Sequence, residues 1–256
     1  MNSEISYSEP SWTGLGSKSS AEIRIKKWLS NADTKRVIPP NAGEAFTENI
    51  NWRIFRIMAE FVEGFEFLST LKKEVTFFGS AVASPSNRYY RVAKQLGYLC
   101  GKAGYTVITG GGPGMMEAAN WGAYEAGGES VGLDISLPLE QRRNQYVKKA
   151  IGFHYFFTRK VMLSASAQAY VFLPGGFGTL DELFEIVTLI QTGKMSDAVP
   201  VILIGRAFWH SLLAWIERVV KDEYQFMDEQ SFKILNVVDT AEEAFDLIKK
   251  TKERIL

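Results

Sequence analysis

Cysteine and histidine are scarce in this chain of 256 residues: one cysteine, Cys100, and two histidines, His154 and His210. A lone cysteine closes no internal disulfide, so the fold needs no oxidising compartment. Two histidines and one cysteine are too few for a zinc site of the usual kind, and no metal is expected. Excess charge is also missing, because 29 Lys and Arg balance 29 Asp and Glu. That balance gives no support to a nucleic-acid partner or to a membrane surface held by bulk charge. Hydrophobic runs are short of a membrane span, and the first residues lack a basic-then-apolar signal. A cytoplasmic protein is therefore the expectation. Internal repeats are absent as well.

What is present is an alternation of short apolar runs and helical patterns. Residues 75–78, 105–109, 130–133, 148–153, 169–173, 201–204 and 234–238 read as strands. Residues 87–102, 115–125, 156–166, 207–220 and 241–252 read as helices. Another helical pattern starts at Gly178 or Thr179 and puts Leu180, Leu183, Phe184, Val187 and Ile190 on one side. The alternation predicts an α/β fold, Rossmann-like and doubly wound, with a mostly parallel sheet and helices on both faces. At 46% hydrophobic residues the chain has enough apolar material for one large domain with a helical extension.

Residues 1–73 are expected to be that extension, and residues 74–256 the α/β domain. Residues 1–18 are serine-rich with Pro10, Gly14 and Gly16, a composition that predicts little order. Ser19 and Glu22 resemble a capping box ahead of a short helix over 21–29. A longer helical pattern runs over 43–71. Its Ile54, Phe55, Ile57, Met58, Phe61, Val62, Phe65 and Leu68 form a broad apolar face suited to the main domain or to another subunit.

Three strands end in glycine: at Gly79-Ser80, at Gly110 to Gly114, and at Gly175-Gly176-Phe177-Gly178. Ligands of open parallel sheets bind beyond the carboxyl ends of strands, so three such loops point to a nucleotide-like ligand. The Gly110 loop is not a P-loop, because no Lys-Ser or Lys-Thr follows. Its spacing also departs from the dinucleotide fingerprint, and only Asp134 stands where a ribose ligand belongs. The stretch 170–185 is the most informative. Three glycines leave backbone N–H groups uncovered ahead of a helix, which makes an anion site. Asp181 and Glu182 are placed in the first turn of that helix. Two readings are open for them: carboxylates with a chemical task, or acids that only complement the helix dipole.

Pro174-Gly175-Gly176-Phe177-Gly178-Thr179-Leu180-Asp181-Glu182 resembles the Pro-Gly-Gly-x-Gly-Thr-x-x-Glu signature of the LOG family. These are cytokinin riboside 5′-monophosphate phosphoribohydrolases, often labelled "lysine decarboxylase". Thr158-Arg159-Lys160-Val161-Met162 resembles the family's Arg-Lys-x-x-Met helix, with the Met one position early. Gly110 to Glu117 and Phe78-Gly79-Ser80 resemble its first glycine loop and opening strand end. The resemblance covers about residues 75–247, and the long helix before it is similar to the longer bacterial-type members.

The resemblance implies cleavage of the N-glycosidic bond of AMP or an N6-modified AMP, without metal or organic cofactor. It implies Glu182 and Arg159 as the catalytic pair. A carboxylate stabilises the positive ribose ring or activates water, and a guanidinium holds phosphate or hydroxyls. Gly79, Ser80, Gly111, Gly112, Lys160, Gly175, Gly176, Gly178, Thr179 and Asp181 are the expected substrate and phosphate contacts, with Gln141, Asn144 and Thr188 as further pocket candidates. Phe156-Phe157-Thr158 stands where plant-type members carry Met-His-Glu, so the pocket wall differs from theirs. Arg142 and Arg143 read as surface charge. A homodimer or higher homo-oligomer is expected. The other class in view is a non-catalytic nucleotide-binding or sensing protein on the same fold. A single-strand DNA-processing role lacks a basic groove.

Overall fold

The computed structural model describes residues 50–135 and 143–254. Helix α1 (Ile50–Ser69) precedes the sheet. Then come β1 (Glu74–Phe78), α2 (Arg88–Lys102), β2 (Thr106–Thr109), α3 (Met115–Glu125), β3 (Ser130–Ile135) and β4 (Lys149–Phe153). The second half runs α4 (Phe156–Ser164), β5 (Ala169–Phe172), α5 (Phe177–Gln191), β6 (Val201–Ile204) and α6 (Arg206–Trp215). Helix α6 widens into π-helical form over Ile216–Glu223, a 3-10 turn covers Gln230–Ile234, and β7 (Leu235–Val238) and α7 (Ala241–Ile248) follow. Each strand and helix expected between residues 74 and 252 is present, with shifted ends. The expected short helix over 21–29 lies outside the described residues.

All seven strands pair in parallel, in the order β4-β3-β2-β1-β5-β6-β7. The chain steps from β1 outward through β4, then restarts at β5 on the other side of β1. Such a reversal opens a crevice above the carboxyl ends of the two central strands. The strands are buried on both faces, as the continuous apolar runs require. Ala169, Val171 and Leu173 join Val75 and Phe77 in one core, under α2, α3 and α7. Tyr170 and Phe172 join Phe78 in the other, packed by Leu68 of α1, Met162 of α4, Ile186 of α5 and Trp209 of α6. This is the α/β, Rossmann-like doubly wound fold.

The compact unit begins at Ile50, not at residue 74. The reason is packing. Leu68 is fully buried, and Gly64 sits so close to α4 that a Cβ there would lie 2.6 Å from Met162 Sδ. Only part of the broad apolar face of α1 is used in this way. Trp52, Phe55, Met58, Val62 and Phe65 remain exposed. Among the described residues, no helix is long and apolar enough to cross a membrane, and no three acidic, His or Cys side chains are grouped to hold a metal.

Helices α2 and α3 meet almost backbone to backbone. A Cβ at Gly97 would lie 2.2 Å from the Ala119 carbonyl oxygen, and one at Gly122 would lie 1.9 Å from that of Lys94. Neither carbonyl can swing aside as a side chain would. Gly97→Val is therefore expected to lower unfolding free energy by about 2–3 kcal/mol, measured by urea denaturation, despite a better helix propensity.

Candidate functional site

The loops after β1 and β5 are joined by two backbone hydrogen bonds. Leu173 N–H donates to Phe78 O at 2.9 Å, and Ser80 N–H donates to Pro174 O at 3.1 Å. Gly175 is required by this closeness, since a Cβ would lie 2.1 Å from Thr179 Oγ1 and 3.0 Å from Ser80 N. Gly176 and Gly178, by contrast, face open space. Their backbone borders a cavity of about 370 Å³ at the crevice between β1 and β5.

That cavity brings together Gly79, Ser80, Gly176, Gly178, Thr179, Asp181, Glu182 and Arg159. Phe77, Phe78, Met116, Phe156 and Leu163 supply apolar wall. Sequence patterns gave no sign of Met116 or Leu163, because on a helix they read as core. Helix α5 starts at Phe177 with Gly176 as its cap, and Thr179 and Leu180 N–H both donate to Gly176 O. The start is earlier than the helical pattern suggested, so no acid lies in the first turn. Asp181 and Glu182 belong to the second turn, and dipole capping does not explain them. The N–H groups of Phe177 and Gly178, at the first helical positions, have no intrahelical partner, the usual condition for anion binding at a helix start.

Glu182 is buried, and its Oε2 makes no hydrogen bond. Burial pushes its carboxyl up to about 7; Lys160 and Arg159 oppose the shift, while Glu185 and Asp181 add to it. Arg159 comes from α4 and is half-buried, with its guanidinium 4.7 Å from the centre of the Phe156 ring. Burial lowers its pKa, against the pull of Glu182 and Asp134, and a guanidinium so placed still stays charged. Its Nε has no hydrogen-bond partner. A carboxylate oxygen and a guanidinium N–H, neither with a hydrogen bond, thus line one cavity.

The other expected contacts are placed differently. Lys160 does not line the cavity. Its Nζ lies 2.6 Å from Asp181 Oδ2, 2.9 Å from Glu185 Oε2 and 3.9 Å from Glu182 Oε2, so it ties α4 to α5. Gly111, Gly112 and Asn144 lie behind the cavity. Asn144 Nδ2 donates to the Gly111 and Gly112 carbonyls at 3.1 and 3.0 Å and to Asn120 Oδ1 at 3.0 Å. Asn144 is a buried brace for the glycine loop rather than a substrate contact, because its donors are all taken up by the protein. Arg143 pairs with Asp134 at 2.5 Å. Thr188 is two turns beyond Glu182; its hydroxyl donates to Phe184 O at 2.6 Å, and it borders a separate apolar hollow with Leu212 and Phe232. Gln141, like Arg142, lies outside the described residues.

Residues 116–248, which are 133 of the 256, match the model of a family described as "possible lysine decarboxylase". The chain belongs to this family, the LOG family. Arabidopsis thaliana LOG3, named cytokinin riboside 5′-monophosphate phosphoribohydrolase, is 26% identical over 187 residues, 72% of this chain and 84% of that protein. The rice LOG protein (Oryza sativa subsp. japonica), of the same activity name, is 26% identical over 73% of this chain and 75% of its own length. A molybdenum cofactor binding protein from Rippkaea orientalis has a similar structure. It is 26% identical, with a TM-score of 0.51 over 69% of this chain and 93% of that one.

The decarboxylase description of the LOG family implies pyridoxal phosphate on a lysine. The residues do not fit it. Among the described residues Lys160 is the lysine beside the cavity, and an amine forming a Schiff base must be free and unprotonated. Burial by itself lowers the Lys160 pKa, but the hydrogen bonds to Asp181 and Glu185 reverse this and leave it raised.

The Glu182 shift has a consequence for stability. Its carboxyl rises from 4.5 to about 7, so the folded state binds this proton more tightly than the unfolded chain does. Ionising it costs the fold about 3 kcal/mol at pH 8. That cost is absent below about pH 4.5 and grows until about pH 7. Glu182→Gln, which has no charge to bury, is expected to be more stable than the wild type at pH 8. Its advantage should vanish by about pH 4.5, as read by denaturant melts across pH.

Proposed function

We propose that the protein hydrolyses the N-glycosidic bond of a purine nucleoside 5′-monophosphate, either AMP or an N6-modified AMP. The products are the free base and ribose 5-phosphate. The observation that carries this reading is the meeting of Glu182 and Arg159 in one cavity beside the open N-terminus of α5. The names of the LOG relatives support the same reaction class. The 5′-phosphate sits at the start of α5 beside Gly176, Gly178 and Thr179, where the free N–H groups of Phe177 and Gly178 and the helix dipole favour an anion. Asp181 and Ser80, on the cavity wall, are within the reach of ribose hydroxyls.

With the phosphate there, the ribose lies over Glu182. As the bond from C1′ to the base nitrogen breaks, positive charge spreads over C1′ and the ring oxygen. The ionised Glu182 stabilises that charge and takes a proton from the water whose oxygen attacks C1′. The bonding electrons leave with the base, which takes a proton from solvent, while Glu182 returns to solvent the proton it took from the attacking water. Arg159 holds the phosphate or the hydroxyls and offsets the negative charge gathered in the site. Metal and organic cofactor play no part in this scheme.

A carrier role is the second reading, raised by the similarity to the molybdenum cofactor binding protein. A non-catalytic binder has no use for a buried carboxylate without a hydrogen bond on Oε2 that costs stability. We also propose that the chain works as a homo-oligomer, with the exposed stripe of Trp52, Phe55, Met58, Val62 and Phe65 on α1 in the interface.

Incubation with AMP followed by chromatography is expected to release adenine. Glu182→Gln should keep AMP binding by calorimetry and lose about 10²-fold or more in kcat. The wild-type rate should rise with pH through about 7, as Glu182 ionises. Binding of AMP without any release by the wild type would favour the carrier. Light scattering at micromolar concentration should give at least twice the chain mass, and a monomer would refute the oligomer.

A further inference from the structure

We infer that Glu60, on the helix ahead of the sheet, is a positioning residue for Arg159. The inference rests on the reading that Arg159 serves the reaction above. Helix α4 has only nine residues and no side-chain cap from its own N-cap residue, Tyr155. Glu60, 94–98 residues away, instead takes the two amides just ahead of the helix and a hydroxyl within its first turn, and so fixes how the chain enters α4. Its Oε1 accepts from His154 N–H at 2.8 Å, and its Oε2 accepts from Tyr155 N–H at 3.2 Å and from the Thr158 hydroxyl at 2.5 Å, whose single proton it shares with Tyr155 O at 2.7 Å.

This carboxylate is 7% exposed and makes three hydrogen bonds into one turn, so it is a built contact and not a surface charge. A negative charge at that end also suits the dipole of α4. Arg159 follows Thr158 directly, and its own N–H donates to Tyr155 O within the same turn. One turn further along each helix, Gly64 packs on Met162, which fixes the spacing of α1 and α4. Glu60 does not line the cavity. It acts by holding the turn from which the Arg159 side chain leaves. Catalysis is sensitive to such placement, since an error near 1 Å in a reacting group costs about 10²-fold in rate.

The test compares wild type, Glu60→Gln, Glu60→Ala and Thr158→Val in three measurements. Hydrogen exchange follows the His154 and Tyr155 amides. Phenylglyoxal labelling, read by mass spectrometry, follows access to Arg159. Steady-state kinetics on AMP separate kcat from KM. In Glu60→Gln, the amides are expected to exchange about tenfold faster, Arg159 to label faster, and kcat to fall by about 10²-fold with little change in KM. Thr158→Val keeps both amide bonds and should lose less. Combined with Glu60→Ala it should add little, because the two share one network.

A folded Glu60→Gln protein with unchanged Arg159 labelling or unchanged kcat overturns the inference. If Glu60→Ala does not fold, Glu60→Gln and Thr158→Val carry the test. If the wild type cleaves no AMP, the proposed reaction fails. The labelling result still decides whether Glu60 controls Arg159.

Discussion

Lys160 is the charge on which the site depends. It leaves α4 beside Arg159 and ends among three carboxylates of α5, at 2.6, 2.9 and 3.9 Å. Asp181, Glu182 and Glu185 crowd one helical turn and would repel one another without it. The same ammonium holds back the Glu182 pKa, which burial and the neighbouring acids drive upward. The result is a carboxylate that ionises near neutral pH while lacking a hydrogen bond on Oε2. Such a group is poised for work on a substrate, because it keeps a lone pair free and its charge little screened. One residue thus joins α4 to α5 and moderates the proton affinity that burial gives Glu182.

The sheet decides where those helices point. Reversal of strand order at β1 puts the β1 and β5 loops side by side, and the Ser80 to Pro174 hydrogen bond holds them there. Gly175 permits that approach, while Gly176 and Gly178 leave the start of α5 uncovered. Glycines in one short motif therefore do two different things. The Gly110 loop completes the crevice from β2, braced from behind by Asn144 and by the Thr109, Asn120 and Ser130 hydrogen bonds. That polar network is buried and satisfied, which makes the loop rigid. Helix α1 adds a third support, through Glu60 and Gly64, and so belongs to the same compact unit although it precedes the sheet.

Much of this was legible in the residues. Alternating apolar runs and helical patterns gave the doubly wound sheet, and the glycine loops marked the edge where its cavity lies. Other assignments could not be made from spacing. Asp181 and Glu182 read as first-turn acids until the start of α5 at Phe177 moved them to the second turn. Asn144 and Thr188 had suitable chemistry and suitable loop or helix positions, but the fold turns Asn144 onto a backbone and Thr188 toward another hollow. Glu60 gave no signal, because an acid in a charged helical stretch looks like a solvated face.

The sequence by itself determined the elements, their order and the motif residues Arg159 and Glu182. These depend on local chemistry: hydrophobic period, turn-forming glycine, and a short signature read along the chain. Tertiary structure decided which side chains share a cavity, which are braces, and how strongly each carboxyl holds its proton. Those properties arise from desolvation and from charges brought together across long stretches of chain. Glu60 and His154 stand 94 positions apart, and the chain between them carries no trace of the hydrogen bond that folding places there.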